Sequence, residues 1–270
     1  MKGLFTMDIR KIIGDENEKP LDTLPADGGF VGILRTIACV GDSLASGEFE
    51  VKKKGTDEKV FLDRYDYSWG QFMARQAGCT VYNFSRGGMT AKVYMQEFAN
   101  ANGYWKPSYA ANAYVIALGV NDILNRGWEI GTVEDICLED YRKNADSFAG
   151  WYAAIIQRYK EIVPEAKFFL VTMPRTEQVS TTERSFKADR HRELLHEMAA
   201  MFTNTYVVDL REYGPIYDEQ FRTMFYGKYG HMNPSGYLVT ARLINAYIDY
   251  IIRHNFVDFR EVGLMGFDYD

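Results

Sequence analysis

The stretch ILRTIACVGDS, residues 33–43, decides the fold that we expect for this chain. Its first eight residues form a compact apolar run that ends at Gly41, which is typical of a buried parallel strand. Apolar runs of strand length then alternate with helical patterns along the chain. The other predicted strands are Thr80–Phe84, Ala113–Leu118, Lys167–Thr172 and Thr205–Leu210. This alternation predicts an α/β fold: a doubly wound, five-stranded parallel sheet with helices on both faces, in a three-layer sandwich.

The helical patterns carry recognisable start and stop signals. Pro164 ends a long pattern that begins near Leu138, and Asn233 followed by Pro234 is a favourable start for the last helix. The predicted helices are Tyr67–Ala77, Thr90–Ala99, Leu138–Ile162, Ser185–Phe202 and Pro234–His254.

The sequence predicts one domain with an extension at each end. Residues 1–34 are polar and lack sustained periodicity, so we expect an N-terminal extension. Residues 35–255 form the predicted domain. Residues 256–270 alternate apolar and acidic side chains, and we expect this tail to dock on its own domain or on a second subunit. A homodimer is therefore a possible assembly.

Composition and charge exclude several classes of protein. The chain has 270 residues, with 31 Lys+Arg against 37 Asp+Glu and a formal net charge of −6. Its dense basic run, Lys52–Lys54, belongs to a charged, solvated loop, so we predict no nucleic-acid partner. No apolar run approaches the roughly 20 residues that span a bilayer, and no secretory signal is visible, so we predict a cytoplasmic protein without a membrane partner. Cys39, Cys79 and Cys137 lack CxxC spacing and are predicted to be free thiols.

Candidate functional residues follow three of the predicted strands. Ser43 follows the first strand, Gly88 lies in the Gly-rich stretch after the second, and Asn121 follows the third. Ligands of parallel sheets bind beyond the carboxyl ends of the strands, so we expect these residues to share one edge. A serine hydroxyl, a glycine that exposes backbone N–H groups and an amide donor are the groups that attack a carbonyl and bind the resulting anion.

A serine nucleophile requires a neighbouring base, and the chain has four histidines. His254 ends the last predicted helix, where a cation complements the helix dipole. His191 and His196 lie five residues apart and form no HExxH motif, so we predict no metal site. His231 lies in the loop before the last helix, where it can reach over the strand ends. We therefore predict that Ser43 is the nucleophile and that His231 is the base that takes its proton.

The same residues resemble the SGNH hydrolases, the GDSL esterase and lipase family. The resemblance matches Ser43, Gly88, Asn121 and His231, in this order, to the family's serine, glycine, asparagine and histidine. It implies a flavodoxin-like fold and ester hydrolysis through an acyl-enzyme, without a metal or organic cofactor. It also implies an oxyanion hole made by the backbone N–H groups of Ser43 and Gly88 and the side-chain amide of Asn121.

One feature of the family is missing from its usual place. Family members usually carry an aspartate three residues before the histidine, where it orients the imidazole, and this chain has Lys228 there. In serine proteases, spoiling the orienting acid costs about 10⁴-fold in turnover, so an active enzyme needs a substitute. A backbone carbonyl near His231 is the first alternative, and Asp209, Asp218 and Glu219 are the others.

The segment Glu48–Asp66 carries too many charges for the apolar lid of a lipase, which favours a polar substrate. Residues that follow strand ends and are candidates to line a substrate cleft are Arg86, Asn125, Arg126, Trp128 and Arg175. We predict a serine esterase for short-chain, acetyl esters of a carbohydrate or another polar small molecule. The alternatives are a lysophospholipase or thioesterase-type acyl hydrolase, an acyl transferase that uses the same residues, and a ligand-binding protein without catalytic activity.

Overall fold

A parallel sheet forms the centre of the structure, a computed structural model that describes residues 7–267. The strands of the chain are β1 Thr36–Gly41, β2 Glu48–Lys52, β3 Lys59–Asp63, β4 Thr80–Ser85, β5 Ala113–Ala117, β6 Lys167–Val171 and β7 Thr205–Val208. Five of them form the parallel sheet in the order β4-β1-β5-β6-β7, and β2 and β3 pair separately and antiparallel. The predicted five-stranded parallel sheet is confirmed.

Helices surround the sheet and include the last helix at its predicted bounds. The α-helices are α1 Arg10–Ile13, α2 Ser43–Ser46, α3 Trp69–Ala77, α4 Ala91–Val93, α5 Ala99–Asn102, α6 Phe148–Ile162, α7 Glu183–Met201, α8 Leu210–Tyr213, α9 Glu219–Phe225, α10 Pro234–His254 and α11 Phe256–Phe259. Asn233 accepts a hydrogen bond from the backbone N–H of Gly236 and Pro234 opens α10, as predicted. Two π-helical segments, Tyr94–Phe98 and Val120–Asn125, follow β4 and β5 respectively.

The sheet is buried on both faces, with a hydrophobic core on each side. In β1, Ala38 and Val40 pack into the core that α6 and α7 cover, and Ile37 and Cys39 pack into the core under α3 and α10. Every position of a strand that is buried on both faces favours an apolar residue, which explains the continuous apolar runs in the sequence. The free Cys39 thiol belongs to this packing.

The ends of the chain contribute to the domain. The first strand begins at Thr36 rather than Ile33, because residues Gly29–Leu34 form a 3-10 helix whose Val31 and Leu34 are fully buried. In the C-terminal tail, Phe259 and Val262 are buried in the core beneath α10. The described part of the tail therefore docks on its own domain. Residues 1–6 of the predicted extension and 268–270 of the tail lie outside the described residues.

The prediction of a helix from Leu138 is wrong for its first ten residues. Residues 138–147 form turns and one short 3-10 helix, Tyr141–Lys143, and α6 begins at Phe148 with Ser147 as its N-cap. Polar side chains in this stretch bond to the backbone in competition with a helix: Asn144 Oδ1 accepts from the N–H of Cys137, and Asp140 Oδ1 accepts from that of Arg142.

The charged insertion contains a β-hairpin that sequence analysis did not predict. Strands β2 and β3 pair in antiparallel register, with Glu50 opposite Phe61, and residues 53–58 connect them. We call residues 48–63 the hairpin. Most of its side chains are exposed or half-buried, so charged residues are tolerated on it. In the described part of the chain, no helix has the length and hydropathy that a membrane span requires.

Candidate active site

Three of the residues singled out in the sequence lie at neighbouring strand ends. Strand β1 lies between β4 and β5, with Gly41 opposite Ser85 on one side and Ala117 on the other. Ser43, Gly88 and Asn121 each follow one of these strands within a few residues. Strand order reverses at this point of the sheet, which is where ligands of doubly wound folds bind.

A short turn after β1 presents Ser43. Asp42 is extended and caps α2, accepting a hydrogen bond from the backbone N–H of Leu44 at 3.0 Å. Ser43 is half-buried as the first residue of α2, so its own N–H has no acceptor within the helix. Burial raises the pKa of the Asp42 carboxyl to about 6, and the nearby charge of His231 opposes that rise. Asp42 therefore stabilises the turn that presents Ser43.

Gly88 lies in the turn after β4 with a left-handed backbone, at φ +69°. A side chain would be strained at this φ, although no atom lies within 4 Å of the position of an added Cβ. Within residues 7–267, its N–H has no hydrogen-bond acceptor. The backbone N–H is therefore available to a bound oxygen.

Asn121 lies in the π-helical segment after β5. Its amide nitrogen donates to the carbonyl of Met89 at 3.1 Å and lies 3.4 Å from Oδ2 of Asp42, a long and weak contact. Its carbonyl oxygen accepts from the amide of Asn125 at 2.9 Å. One amide hydrogen is thus bound to the carbonyl of Met89. The other makes only the long contact with Asp42, which a substrate oxygen can replace.

His231 contacts two carboxylates of the hairpin. Its Nδ1 lies 3.3 Å from Oε2 of Glu50, and its Nε2 lies 3.2 Å from Oε1 of Glu48. The ring of Phe61 packs edge-on against the imidazole, with 5.9 Å between ring centroids. Among the described residues no hydrogen bond joins His231 to Ser43. The hairpin therefore surrounds the predicted base.

None of the orienting groups considered from the sequence contacts the imidazole. Asp209 is buried, and its Oδ2 lies 2.6 Å from Nε of Arg192 and 2.8 Å from Nε2 of His196. Asp218 caps α9. Lys228 is exposed, with its ammonium group over the ring of Tyr229. The backbone carbonyl, our first alternative, is wrong as well, because both ring nitrogens face carboxylates.

Glu48 and Glu50 are the residues that sequence reasoning missed. The alternation of apolar and charged residues in β2 and β3 was a signal for a hairpin, but it gave no indication that the hairpin meets His231. Residues 50 and 231 are 181 positions apart, so no local spacing links them.

Four of the five predicted cleft residues follow β4 or β5. The guanidinium of Arg86 lies 4.8 Å from the ring of Phe98, and that of Arg126 lies 5.4 Å from the ring of Trp128. Asn125 bonds to Asn121, as described above. Through these contacts, polar and aromatic side chains lie together beside the strand ends.

The fifth predicted cleft residue, Arg175, pairs with Glu212 at 3.1 Å. The remaining histidines also have structural partners: Nε2 of His191 lies 3.1 Å from the carbonyl of Leu118, and His254 Nδ1 lies 2.8 Å from that of Tyr250. In residues 7–267, no group of three or more His, Cys, Asp or Glu side chains is arranged to hold a metal ion.

An apolar cavity of about 80 Å³ lies next to the Ser43 turn. It is lined by Asp42 and Leu44, on either side of Ser43, and by Val120, next to Asn121, and its other walls include Ala117, Leu118, Met173, Pro174, Tyr217 and Met232. None of the four family positions lines this cavity itself, but chain neighbours of Ser43, Asn121 and His231 do. A larger cavity of about 330 Å³ is lined by Trp105, Tyr141 and Trp151. The smaller cavity is the one that adjoins the candidate chemistry.

A doubly wound sheet with a serine, a glycine and an asparagine at its switch point is the arrangement of the SGNH, or GDSL, hydrolases. A model of the GDSL-like lipase/acylhydrolase family matches residues 39–239, and the chain belongs to this family. It is a carboxylic ester hydrolase. A search of curated proteins found no matching relative.

Solved structures with a similar fold include carbohydrate esterases. A family two carbohydrate esterase from Clostridium thermocellum, in complex with cellohexaose, is 17% identical with a TM-score of 0.56; the match covers 83% of this chain and 65% of that one. An acetylxylan esterase from Geobacillus stearothermophilus is 15% identical with a TM-score of 0.51, over 79% of this chain and 94% of that one. At these identities the likeness supports the fold.

Proposed function

We propose that this protein hydrolyses short-chain, acetyl esters of a polar small molecule, such as an acetylated carbohydrate, through an acyl-enzyme on Ser43. The observation that carries the proposal is the small apolar cavity beside the Ser43 turn, at the edge where Gly88 and Asn121 offer hydrogen-bond donors. Each element of the mechanism is assigned to a residue of this chain.

In the proposed reaction, Nε2 of His231 takes the proton of the Ser43 hydroxyl as the oxygen attacks the ester carbonyl. The N–H groups of Ser43 and Gly88 and the amide of Asn121 stabilise the negative charge on the carbonyl oxygen. His231 then gives the proton to the departing alcohol. Water, activated by the same imidazole, attacks the acyl-enzyme and releases the acid and Ser43.

This mechanism requires one rearrangement of the free protein. Nε2 of His231 contacts Glu48, so the imidazole has to exchange this contact for the Ser43 hydroxyl when substrate binds. Burial raises the pKa of Glu48, the charge of His231 opposes that rise, and the charges of Asp63 and Glu50 add to it.

The cavity favours a short acyl group. Its volume of about 80 Å³ is about a quarter of that of the cavity beside Trp105 and Trp151, so it suits a small group. Long acyl chains would have to lie outside it. The polar side chains around the strand ends, among them Arg86 and Arg126, favour a hydrophilic alcohol portion, and a carbohydrate is also the ligand named in the structure of the Clostridium thermocellum esterase.

The test compares p-nitrophenyl acetate, octanoate and palmitate as substrates of the wild type and of Ser43→Ala. We expect turnover of the acetate, a steep fall with chain length, and a loss of about 10⁴-fold or more in the variant, because no other group replaces the nucleophile. Release of acetate from an acetylated oligosaccharide, with the same dependence on Ser43, extends the test to the proposed substrate class.

Other outcomes select the alternatives. Faster turnover of octanoate or palmitate would favour a lysophospholipase or thioesterase-type acyl hydrolase over the acetylesterase. Transfer of the acetyl group to an added sugar in preference to water would identify an acyltransferase. Activity that is equal in the wild type and Ser43→Ala would refute the proposed role of Ser43.

A further inference from the structure

The family's orienting aspartate is replaced by Lys228, yet Nδ1 of His231 has a carboxylate beside it. Glu50 Oε2 lies 3.3 Å from this nitrogen, and the Glu50 side chain is only 7% exposed. A carboxylate accepts hydrogen bonds and cannot donate one, so Nδ1 carries the proton in this pair. In a neutral imidazole this leaves the lone pair on Nε2, which lies 3.2 Å from Glu48 Oε1 without the geometry of a hydrogen bond. Nε2 is the nitrogen that a general base uses toward serine.

Glu50 is kept ionised and in place by its surroundings. Lys59, two residues before the cross-strand partner of Glu50, places its ammonium group 2.5 Å from Oε1 of Glu50. The Lys59 contact and then the contact with His231 hold the pKa of Glu50 below its usual value. The two carboxylate oxygens thus have separate partners, Lys59 on one and His231 on the other.

The loop that carries His231 is shaped to admit Glu50. Gly230 has φ +135°, a conformation that strains other residues. A Cβ at Gly230 would also lie 2.8 Å from Oε2 of Glu50, the same oxygen that faces His231. A side chain at position 230 would therefore displace the carboxylate from the imidazole.

The hairpin is bound to the rest of the site at its base. Tyr237 of α10 donates to the backbone carbonyl of Glu48 at 2.5 Å, and its ring packs against Phe49. Ser46 of α2 donates to Asp63 at 3.0 Å. The hairpin that carries Glu50 is thus connected through β2 to the helix that follows His231 and through β3 to the helix that begins with Ser43.

From these contacts we propose that Glu50 is the positioning residue of His231, the substitute for the family's missing aspartate, supplied by an inserted hairpin. Glu48 does not have this role, because it faces Nε2, the nitrogen that must be free for Ser43. The inference rests on the proposed function for its catalytic consequence, but the hydrogen bond itself is a property of the free protein.

The kinetic test compares Glu50→Gln, Glu50→Asp and a matched control, Glu58→Gln, with p-nitrophenyl acetate from about pH 5 to about pH 9. Glu58 lies on the same hairpin, is exposed and contacts Lys53 at 3.4 Å. We expect Glu50→Gln to lower kcat by about 10²- to 10⁴-fold with little change in KM, because an amide donates to Nδ1 and favours the wrong tautomer. Glu50→Asp keeps the charge and loses about tenfold, and Glu58→Gln behaves as wild type.

A substitution of Glu50 that affects only the stability of the fold would leave kcat of the folded protein unchanged. Thermal unfolding and circular dichroism therefore accompany each variant. Folded Glu50→Gln with a kcat within about threefold of wild type across the pH range would overturn the proposal.

A spectroscopic test uses the wild type and does not depend on activity. Nitrogen-15 NMR of the histidine rings is expected to show neutral His231 protonated on Nδ1, with a strongly downfield ring proton that is absent in His231→Asn and lost in Glu50→Gln. Neutral His231 protonated on Nε2 would overturn the proposal even if a variant fails to fold. If no ester is turned over by the wild type, the proposed function fails, and this measurement still decides the role of Glu50.

Discussion

The sheet edge and the hairpin contribute different parts of the same site. At the sheet edge, β1 is buried on both faces and its neighbours fix Ser43, Gly88 and Asn121 through backbone geometry. The hairpin is mostly exposed, has two strands and holds His231 through side-chain carboxylates. Two-stranded hairpins are marginally stable alone, so the orientation of the base depends on a less stable part of the molecule than the nucleophile does.

The two members of the proposed catalytic pair are therefore held by separate parts of the molecule. In the proposed mechanism the strand ends provide the nucleophile and the hydrogen-bond donors. The orienting acid needs only to reach Nδ1 of the histidine, and an insertion after the serine can bring it there. Breaking the sheet edge should therefore reduce stabilisation of the transition state, whereas breaking the hairpin should change the protonation and direction of His231.

The largest effect expected at the sheet edge, short of removing Ser43, comes from Asn121→Ala. Loss of one oxyanion donor typically lowers kcat by about 10²- to 10³-fold. Steady-state kinetics with p-nitrophenyl acetate measure the loss, and Asn102→Ala, which removes an exposed amide at the end of α5, is the control. A kcat for Asn121→Ala equal to that of the control would exclude the amide from the oxyanion hole.

Asp122 links the sheet edge to the pH dependence of stability. Burial raises the pKa of this carboxyl to about 7, the charge of Asp42 adds to the rise, and its Oδ1 accepts from the N–H of Ala91 at 2.8 Å. Because the folded state binds this proton more tightly than the unfolded state, the contribution is complete below about pH 4 and is lost as the pH rises to about 7.

Asp122→Asn removes this titration. Between about pH 4 and pH 8, the free energy of unfolding of the variant should therefore fall by about 2 to 4 kcal/mol less than that of the wild type. This figure follows from about 1.4 kcal/mol per unit of pKa shift. Urea unfolding at several pH values measures the slope, which is separate from any constant cost of the buried amide. Asp42 remains and retains its own, smaller part of the dependence. A variant with the wild-type slope would show that Asp122 is not the group that titrates.

The smallest change in kcat that we expect comes from Lys228→Asp, which tests whether the hairpin replaces the family's aspartate. Lys228→Asp puts an acid back at the family's usual position. We expect it to raise kcat about tenfold in the Glu50→Gln background, because a carboxylate then replaces the one that Nδ1 has lost. In the wild-type background the same change should be nearly neutral, since Glu50 already occupies that nitrogen. Equal gains in both backgrounds would mean that Lys228 slows the enzyme for a reason unrelated to orientation of the imidazole.

The elements that the sequence predicted correctly are the ones buried in the core. The five parallel strands appear as apolar runs because both of their faces are covered, and the functional residues at their ends follow from the topology. The hairpin escaped prediction because its exposed face tolerates charge. The helix start at Phe148 was missed because side-chain bonds from Asn144 and Asp140 compete with the helix. The contact of Glu50 with His231 depends on tertiary folding across 181 positions.

The most direct measurement of the central claim is the rate at which an uncharged organophosphate, diethyl p-nitrophenyl phosphate, modifies the protein. Phosphorylation reports the nucleophilicity of the serine without requiring the natural ester, and peptide mapping by mass spectrometry locates the label. We predict a label on Ser43 in the wild type and in Glu58→Gln at the same rate, at least about 10²-fold slower labelling in Glu50→Gln, and none at that position in Ser43→Ala. A label on another residue, or equal rates in the wild type and Glu50→Gln, would contradict the account.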